Sequence, residues 1–291
     1  MSKTKTRTVL IVVGACVLLF IGMISLTNYL VSGALPFARS IVVIEVKGVI
    51  IESDEIVREI KGLRERSDVA AVVLRVDSPG GGVAPSQEIY EELKKLADEK
   101  VLVVSMGGVA ASGGYYISCA ADYIFANPGT TTGSIGVILE TVNIEGALDK
   151  IGVEGVVIKS GELKDVGSPF RDMSQKEKQF LQAYVENVYQ QFIETVKTSR
   201  KLNDSEVSAI SDARILTGEQ ALELHMIDEL GNLEDAIDKA AKLSGITGKP
   251  NVVYPKKGKL SLLALLIGEE RTNILDNLTA NYFRIEYRFV P

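Results

Sequence analysis

The chain has 291 residues, a formal net charge of −6 and a hydrophobic fraction of 46%. That length allows one large domain or two small ones, each with an ample core. The acidic balance, with no long basic run, argues against nucleic acid as a partner, and two cysteines with one histidine are too few for a metal-ligand cluster.

Val9 to Leu30 runs for 22 residues without a charge. As a helix rising roughly 1.5 Å per residue it is about 33 Å long, which predicts a transmembrane anchor over 9–30. Lys3, Lys5 and Arg7 precede it, and no basic residue follows until Arg39. The positive-inside bias puts residues 1–8 in the cytoplasm and the rest of the chain outside the cell membrane. The alternative is a cleaved signal peptide with Ser32-Gly33-Ala34 as its small-residue site, although the apolar stretch is long for that. Cys16 falls in the apolar run and Cys119 beyond it, so no intrachain disulfide is expected. Cys119 reads as a small buried hydrophobe.

Residues 31–40 form a linker with Gly33 and Pro36. Strands are predicted at Ile41–Val46, Ala70–Val76 and Val101–Val104, separated by helices at Ile56–Arg64 and Ser86–Ala97. Ser112 opens the next helix. Short strands follow at Tyr123–Ala126, Ile135–Leu139 and Val156–Lys159. A long helix over Gln175–Thr198 carries Phe180, Tyr184, Val188 and Phe192 at helical spacing. Further helices are predicted at Gly218–Leu224 and Leu233–Ala241. Residues 246–258 read as a Gly/Pro/Lys-rich linker, Leu260–Ile267 is too short to span a membrane, and the remaining tail has no clear period. Apolar strands separated by helices indicate an α/β fold with a mostly parallel sheet.

Four constellations can carry chemistry. Ser112 sits in Ala110-Ala111-Ser112-Gly113-Gly114 after an apolar strand. A nucleophile needs such a sharp turn with N–H groups nearby for an oxyanion, and Gly113 N–H is one candidate donor. The alternative is a serine that only caps a helix. Asp77-Ser78-Pro79-Gly80-Gly81-Gly82 follows a buried strand, and Gly81 is a candidate second donor; a plain strand-to-helix turn is the alternative. Lys164 is a candidate base, with Lys159 and Lys150 as rivals on bare chemistry. An exposed lysine, with a pKa of roughly 10.4, is a poor base near neutrality, and burial favours the neutral amine. Ser134, in Thr132-Gly133-Ser134-Ile135-Gly136, is either a turn serine or a hydroxyl that orients the lysine. His225 is the sole histidine, so a Ser-His-Asp triad would have to recruit it.

From about Val42 to Leu243 the chain resembles the signal peptide peptidases of the SppA type, in their short, single-repeat form. The resemblance is carried by Arg75-Val76-Asp77-Ser78-Pro79-Gly80-Gly81-Gly82, by Ser105-Met106-Gly107 through Ala111-Ser112-Gly113-Gly114-Tyr115-Tyr116, and by Asn127-Pro128-Gly129-Thr130-Thr131-Thr132-Gly133-Ser134-Ile135-Gly136-Val137. Ser160-Gly161 to Lys164-Asp165, Ser168-Pro169 and Asp228-Glu229-Leu230-Gly231 complete it. These are membrane-anchored Ser-Lys proteases in the fold group of the crotonases and the Clp protease subunit. The resemblance implies stacked strand-strand-helix units in a peptidase domain over 41–245, with a C-terminal linker and tail over 246–291. It implies Ser112 as nucleophile, Lys164 as general base, Gly81 and Gly113 as oxyanion donors and Ser134 as the lysine-orienting residue. It implies peptide substrates, signal peptides among them, no cofactor, and a homo-oligomer whose subunits share active sites. A crotonase-like acyl-CoA enzyme and an inactive membrane-anchored oligomeric scaffold are the rival readings. A membrane protease of the NfeD-linked kind, with narrower cleavage, is a third.

Overall fold

The computed structural model describes residues 12–23, 39–254 and 284–288. Residues 12–23 form a first helix, α1, whose apolar side chains are exposed. Among the described residues no helix is long and apolar enough to cross a membrane, and the flanks of the predicted 9–30 span lie outside them. Leu260–Ile267 also lies outside the described residues.

The centre of the molecule is a largely parallel sheet. β1 (Ser40–Lys47), β2 (Val69–Ser78), β4 (Val101–Ala111), β5 (Tyr123–Ala126) and β9 (Glu229–Leu230) lie side by side. β10 (Asn251–Val253) adds to the β1 edge, Ser40 opposite Asn251, so part of the expected linker is a strand. Between β1 and β2 comes α2 (Asp54–Glu65); between β2 and β4 come β3 (Gly80–Gly82) and α3 (Val83–Ala97). Two-residue alternation sorts the strands onto two faces. Val42, Ile44, Val72, Leu74, Leu102 and Val104 pack on the face that receives α2, α3 and α6 (Gln175–Arg200). Ile41, Val43, Ala71, Val73 and Val103 pack on the other face against Ala236, Ile237 and Ala240 of α9 (Leu233–Leu243). Burying both faces removes the polar alternation, which is why these strands read as continuous apolar runs.

β4 is much longer than its predicted apolar stretch. It continues through Gly107 and Gly108 to Ala111. Its lower half pairs with β5, Val103 opposite Tyr123, and its upper half with β6 (Thr131–Gly133), Ala110 opposite Thr132. β6 in turn pairs antiparallel with β8 (Ile215–Leu216). The Asp77 carboxylate accepts from Val109 N–H at 3.1 Å and packs beside Gly107, bracing the segment where the strand changes partners. At its end begins α4 (Gly113–Ser118).

Other expectations need correction. The predicted strand at Ile135–Leu139 is replaced by β6 and by β7 (Ile138–Glu140). Val156–Lys159 is not a strand: Val156 is 79% and Ile158 97% exposed, and no strand pairs with it among the described residues. In α6 Val188 and Phe192 are buried as the spacing suggests, but Phe180 and Tyr184 are exposed. The short helices α5 (Glu145–Lys150), α7 (Asp204–Ile210) and α8 (Gly218–Glu223) complete the described elements, together with a second sheet of order β3-β11-β7 in which β11 is Arg284–Arg288.

Asp228 ties three parts of the fold together. Its carboxylate accepts from Ile124 N–H at 2.7 Å and from both terminal nitrogens of Arg200, at 3.1 and 2.8 Å. Asp228→Ala strands the mostly buried Arg200 guanidinium at the end of α6, and denaturant unfolding is expected to register a loss of about 3 kcal/mol. An Asp228→Ala chain as stable as the parent would refute this role.

Candidate active site

Ser112 occupies the elbow between β4 and α4. Its backbone is at φ 54, ψ −117, a region that a residue with a side chain enters only when its surroundings compel it. Those surroundings are specific. Ser112 N–H donates to the Gly133 carbonyl at 2.8 Å, and the Ser112 carbonyl accepts from Tyr116 N–H at 2.8 Å. The residue is 1% exposed. Its hydroxyl makes no capping bond to α4, so the helix-cap alternative does not hold. A strained strand-to-helix turn of this kind is how a serine Oγ is presented for attack.

The glycines pack backbone to backbone beneath the elbow. A Cβ on Gly80, which has φ +94, would lie 2.6 Å from Gly113 N and 2.1 Å from the Tyr287 carbonyl oxygen. A Cβ on Gly113 would lie 2.7 Å from the Oγ of the buried Ser86. Only glycine permits such approach. Gly81 is the middle residue of β3. One edge of that strand is held by Ile50, whose N–H donates to Gly80 and whose carbonyl accepts from Gly82, both at 2.8 Å. The structure thus brings Ser112, Gly113 and β3 together. Ser134 is close by sequence to the Gly133 carbonyl that holds Ser112; it too has positive φ, 51°, and its N–H donates to Arg214 O.

The other edge of β3 is covered by β11. Gly82, Gly81 and Gly80 face Glu286, Tyr287 and Arg288 in antiparallel register, and β11 pairs antiparallel with β7 on its far side. The Tyr287 ring is fully buried. It stacks on Tyr116 at 5.3 Å, lies 4.6 Å from Phe192, and its hydroxyl donates to the Val188 carbonyl at 3.2 Å. Burial pushes its phenol well above the ordinary tyrosine range. A cavity of about 410 Å³ continues along β3, lined in part by Ile50, Gly82, Val83, Tyr184, Asn187 and Gln191. The sequence reading missed this strand. Its signal was the alternation of Arg284, Ile285, Glu286, Tyr287 and Arg288, a period of two hidden by its shortness.

Lys164 lies on a 3-10 turn, Glu162–Asp165, and is exposed rather than buried. No contact among the described residues brings it to Ser112. The turn itself is held firmly. Asp165 accepts from Arg171 Nε and one terminal nitrogen, both at 2.9 Å, and from Lys159 at 2.5 Å. Arg171, then Lys159, hold its carboxyl well below the usual carboxylate range. Arg171 also reaches both oxygens of Glu177 in the first turn of α6. Glu177, 2% exposed, is pushed down to about 2 by Arg171 first and by the Ser174 N–H in the helix's capping box. Lys159 is therefore occupied, and Lys150 closes the last turn of α5. His225 is also occupied: its Nδ1 lies 2.6 Å from Glu206 on α7. Cys119 is buried, and burial pushes its thiol up to about 12, which removes it as a nucleophile.

A serine on a strained strand-to-helix elbow, packed over glycines, is a geometry that serine hydrolases use to present a nucleophile. Residues 94–247 match the model of Peptidase family S49 and residues 29–132 that of Clp protease. The chain is 44% identical to the putative protease slr0021 of Synechocystis, over 72% of this chain and 76% of that one. It is 36% identical to a putative signal peptide peptidase SppA of Enterococcus faecium, over 74% and 67%. It is 40% identical to Protease 4 of Salmonella typhi, over 67% of this chain and 31% of that longer protein. The chain belongs to Peptidase family S49, and it is a serine peptidase.

Gly80→Ala puts a methyl group on the Tyr287 carbonyl in a backbone conformation that disfavours any side chain. The expected result is a displaced β11, read as at least about tenfold faster tryptic cleavage at Arg284 and Arg288, an estimate based on the roughly 1–3 kcal/mol such strain costs. Unchanged cleavage rates would mean that the close approach of Gly80 and Tyr287 is not what seats the strand.

Proposed function

We propose that this chain is a membrane-anchored endopeptidase that degrades cleaved signal peptides and other small or unfolded peptides, with Ser112 as nucleophile and Lys164 as its base. The observation that carries the reading is the Ser112 elbow beside β3, whose edge away from Ile50 pairs with an extended segment, β11. An extended peptide added to that edge runs antiparallel to β3, as residues 284–288 do. Main-chain pairing of this kind holds many sequences and brings a substrate carbonyl toward Gly113 N–H. The Enterococcus faecium relative bears the name of a signal peptide peptidase, which supports the substrate class.

In this mechanism Lys164 Nζ takes the Ser112 proton as Oγ attacks the peptide carbonyl. The N–H groups of Gly113 and Gly81 receive the oxyanion, the ammonium protonates the leaving amine, and water activated by the same amine releases the acyl group. Ser134 orients the amine. Because Ser112 is buried and Lys164 exposed on separate parts of one chain, we assign the two groups of a working site to neighbouring subunits of a homo-oligomer. The segment before Lys164 favours this: Val142, Ile151, Val153, Val156, Val157 and Ile158 all expose apolar side chains, a surface suited to a second copy. The apolar, uncharged run around α1 supports a single-pass anchor, with the N-terminus cytoplasmic and the peptidase outside.

Purified full-length protein in detergent is expected to hydrolyse a fluorogenic apolar peptide, faster toward alkaline pH. Ser112→Ala and Lys164→Ala should each lower kcat/KM by about 10³-fold or more at unchanged assembly size. Retained activity in Lys164→Ala with loss in His225→Ala would reverse the assignment of the base.

A chain ending at residue 283 leaves the β3 edge open. Its KM for the same peptide should fall about tenfold with kcat unchanged, the signature of a lost competitor worth about 1.4 kcal/mol. An unchanged KM would mean that substrate and β11 use different sites.

A further inference from the structure

Two carboxylates flank Lys164 in sequence, Glu162 and Asp165, and each is occupied by another cation, as is Glu177 where the turn meets α6. Glu162 pairs with Lys176 of α6, Glu177 with Arg171, and Asp165 with both Lys159 and Arg171. The Lys164 amine pairs with no carboxylate among the described residues. Its nearest acidic neighbour in the chain, Asp165, has both oxygens engaged: Oδ1 by Lys159 and Arg171, Oδ2 by Arg171 Nε. Arg171 is a planar fork that spans Asp165 on the turn and Glu177 on α6, a geometry lysine cannot reproduce.

A lysine that acts as a base must lose its proton. A carboxylate beside it favours the ammonium and opposes that loss. We propose that Arg171 is a positioning residue for the reaction: by engaging Asp165 it keeps that carboxylate from capturing Lys164, and so leaves the amine free to deprotonate. This rests on the reading of Lys164 as the general base. It assigns a role to Arg171 that does not require contact with substrate or with Ser112. Removing Arg171 frees Oδ2 of Asp165, one residue from Lys164, while Lys159 still covers only Oδ1.

The test is the pH dependence of kcat/KM for peptide hydrolysis by the full-length protein and by Arg171→Gln, Asp165→Asn, Arg171→Gln/Asp165→Asn and Lys164→Ala. Thermal melts and assembly size are measured alongside. In Arg171→Gln the alkaline-rising limb should move up by about one pH unit, so that activity near neutrality falls about tenfold and recovers at high pH. In Asp165→Asn the limb should not move up, because the carboxylate is gone; this variant keeps the pair between Arg171 and the buried Glu177, so it tests the carboxylate's role even if Arg171→Gln lowers the melting temperature. The double variant should return the limb to its parental position. A uniform loss at every pH with the limb in place, or a double variant no better than Arg171→Gln, would show that Arg171 only braces the loop and would overturn the proposal. If Lys164→Ala stays active, the base lies elsewhere and both readings fall. If it is dead while the Arg171→Gln limb stays put, only the present one does.

Discussion

The strained backbone of Ser112 is the constraint on which the remaining architecture depends. A non-glycine residue at φ 54 costs of the order of 1–3 kcal/mol and persists only where neighbours over-determine it. β4 supplies that control. Its lower half is locked between β2 and β5 and its upper half is handed to β6, so the strand enters the elbow already fixed on both edges. β6 then returns the Gly133 carbonyl to Ser112 N–H, and α4 leaves with Tyr115 and Tyr116 driven into the core. Tyr115 OH donates to the Met226 carbonyl beside the Arg200–Asp228 pair, which ties the first turn of α4 to the segment that carries Asp228. Loosening any of these would let the elbow relax toward an ordinary helix start and bury the hydroxyl in a cap.

The same elbow explains the run of glycines in β3. Backbone must approach backbone where β3, α4 and β11 meet, and side chains at Gly80 or Gly113 would hold them apart. The result is a short strand with one edge bound to Ile50 and the other paired along its length with β11. The aromatic group of Tyr116, Phe192 and Tyr287 anchors the paired strand β11 to the core. Tyr116 belongs to α4, which begins at Ser112, so Ser112 and this aromatic group are positioned by one rigid element.

Much of this was legible in the sequence for a physical reason. Buried parallel strands such as Val69–Leu74 have no solvent face, so their apolar runs are unbroken, and α6 and α9 announce themselves by Ser174 with Glu177 and Asn232 with Asp235 at their starts. The elbow was legible because Ser112 lies between small residues after such a strand. What escaped is set by tertiary context. Val156–Lys159 has the composition of a strand but meets no strand to pair with among the described residues, and its apolar side chains face outward. Gly107 and Gly108 look like a strand end, yet β4 continues through them because Asp77 and β6 support the backbone there. β10 and β11 are three- and five-residue strands whose pairing partners are distant in sequence, so the short alternation of β11 is too brief to stand out and β10 carries no local pattern.

The two halves of the candidate chemistry sit in opposite physical settings. Ser112 is fixed in the dry core of the fold, whereas Lys164 rides on a solvent-facing turn whose neighbours are all paired with other cations. A serine hydroxyl without a base is a weak nucleophile, and an exposed ammonium is no base near neutrality. Under the proposed function, neither half is reactive as it stands in a single chain. Under the proposed reading, desolvation of Lys164 against a neighbouring subunit both brings the groups together and favours the neutral amine. The ion pairs around the turn serve that step, because a lysine entering a dry interface beside an unpaired Asp165 would enter as an ion pair instead. Bracing the turn with Arg171, rather than with Lys164 itself, leaves the amine uncommitted until assembly supplies its partner.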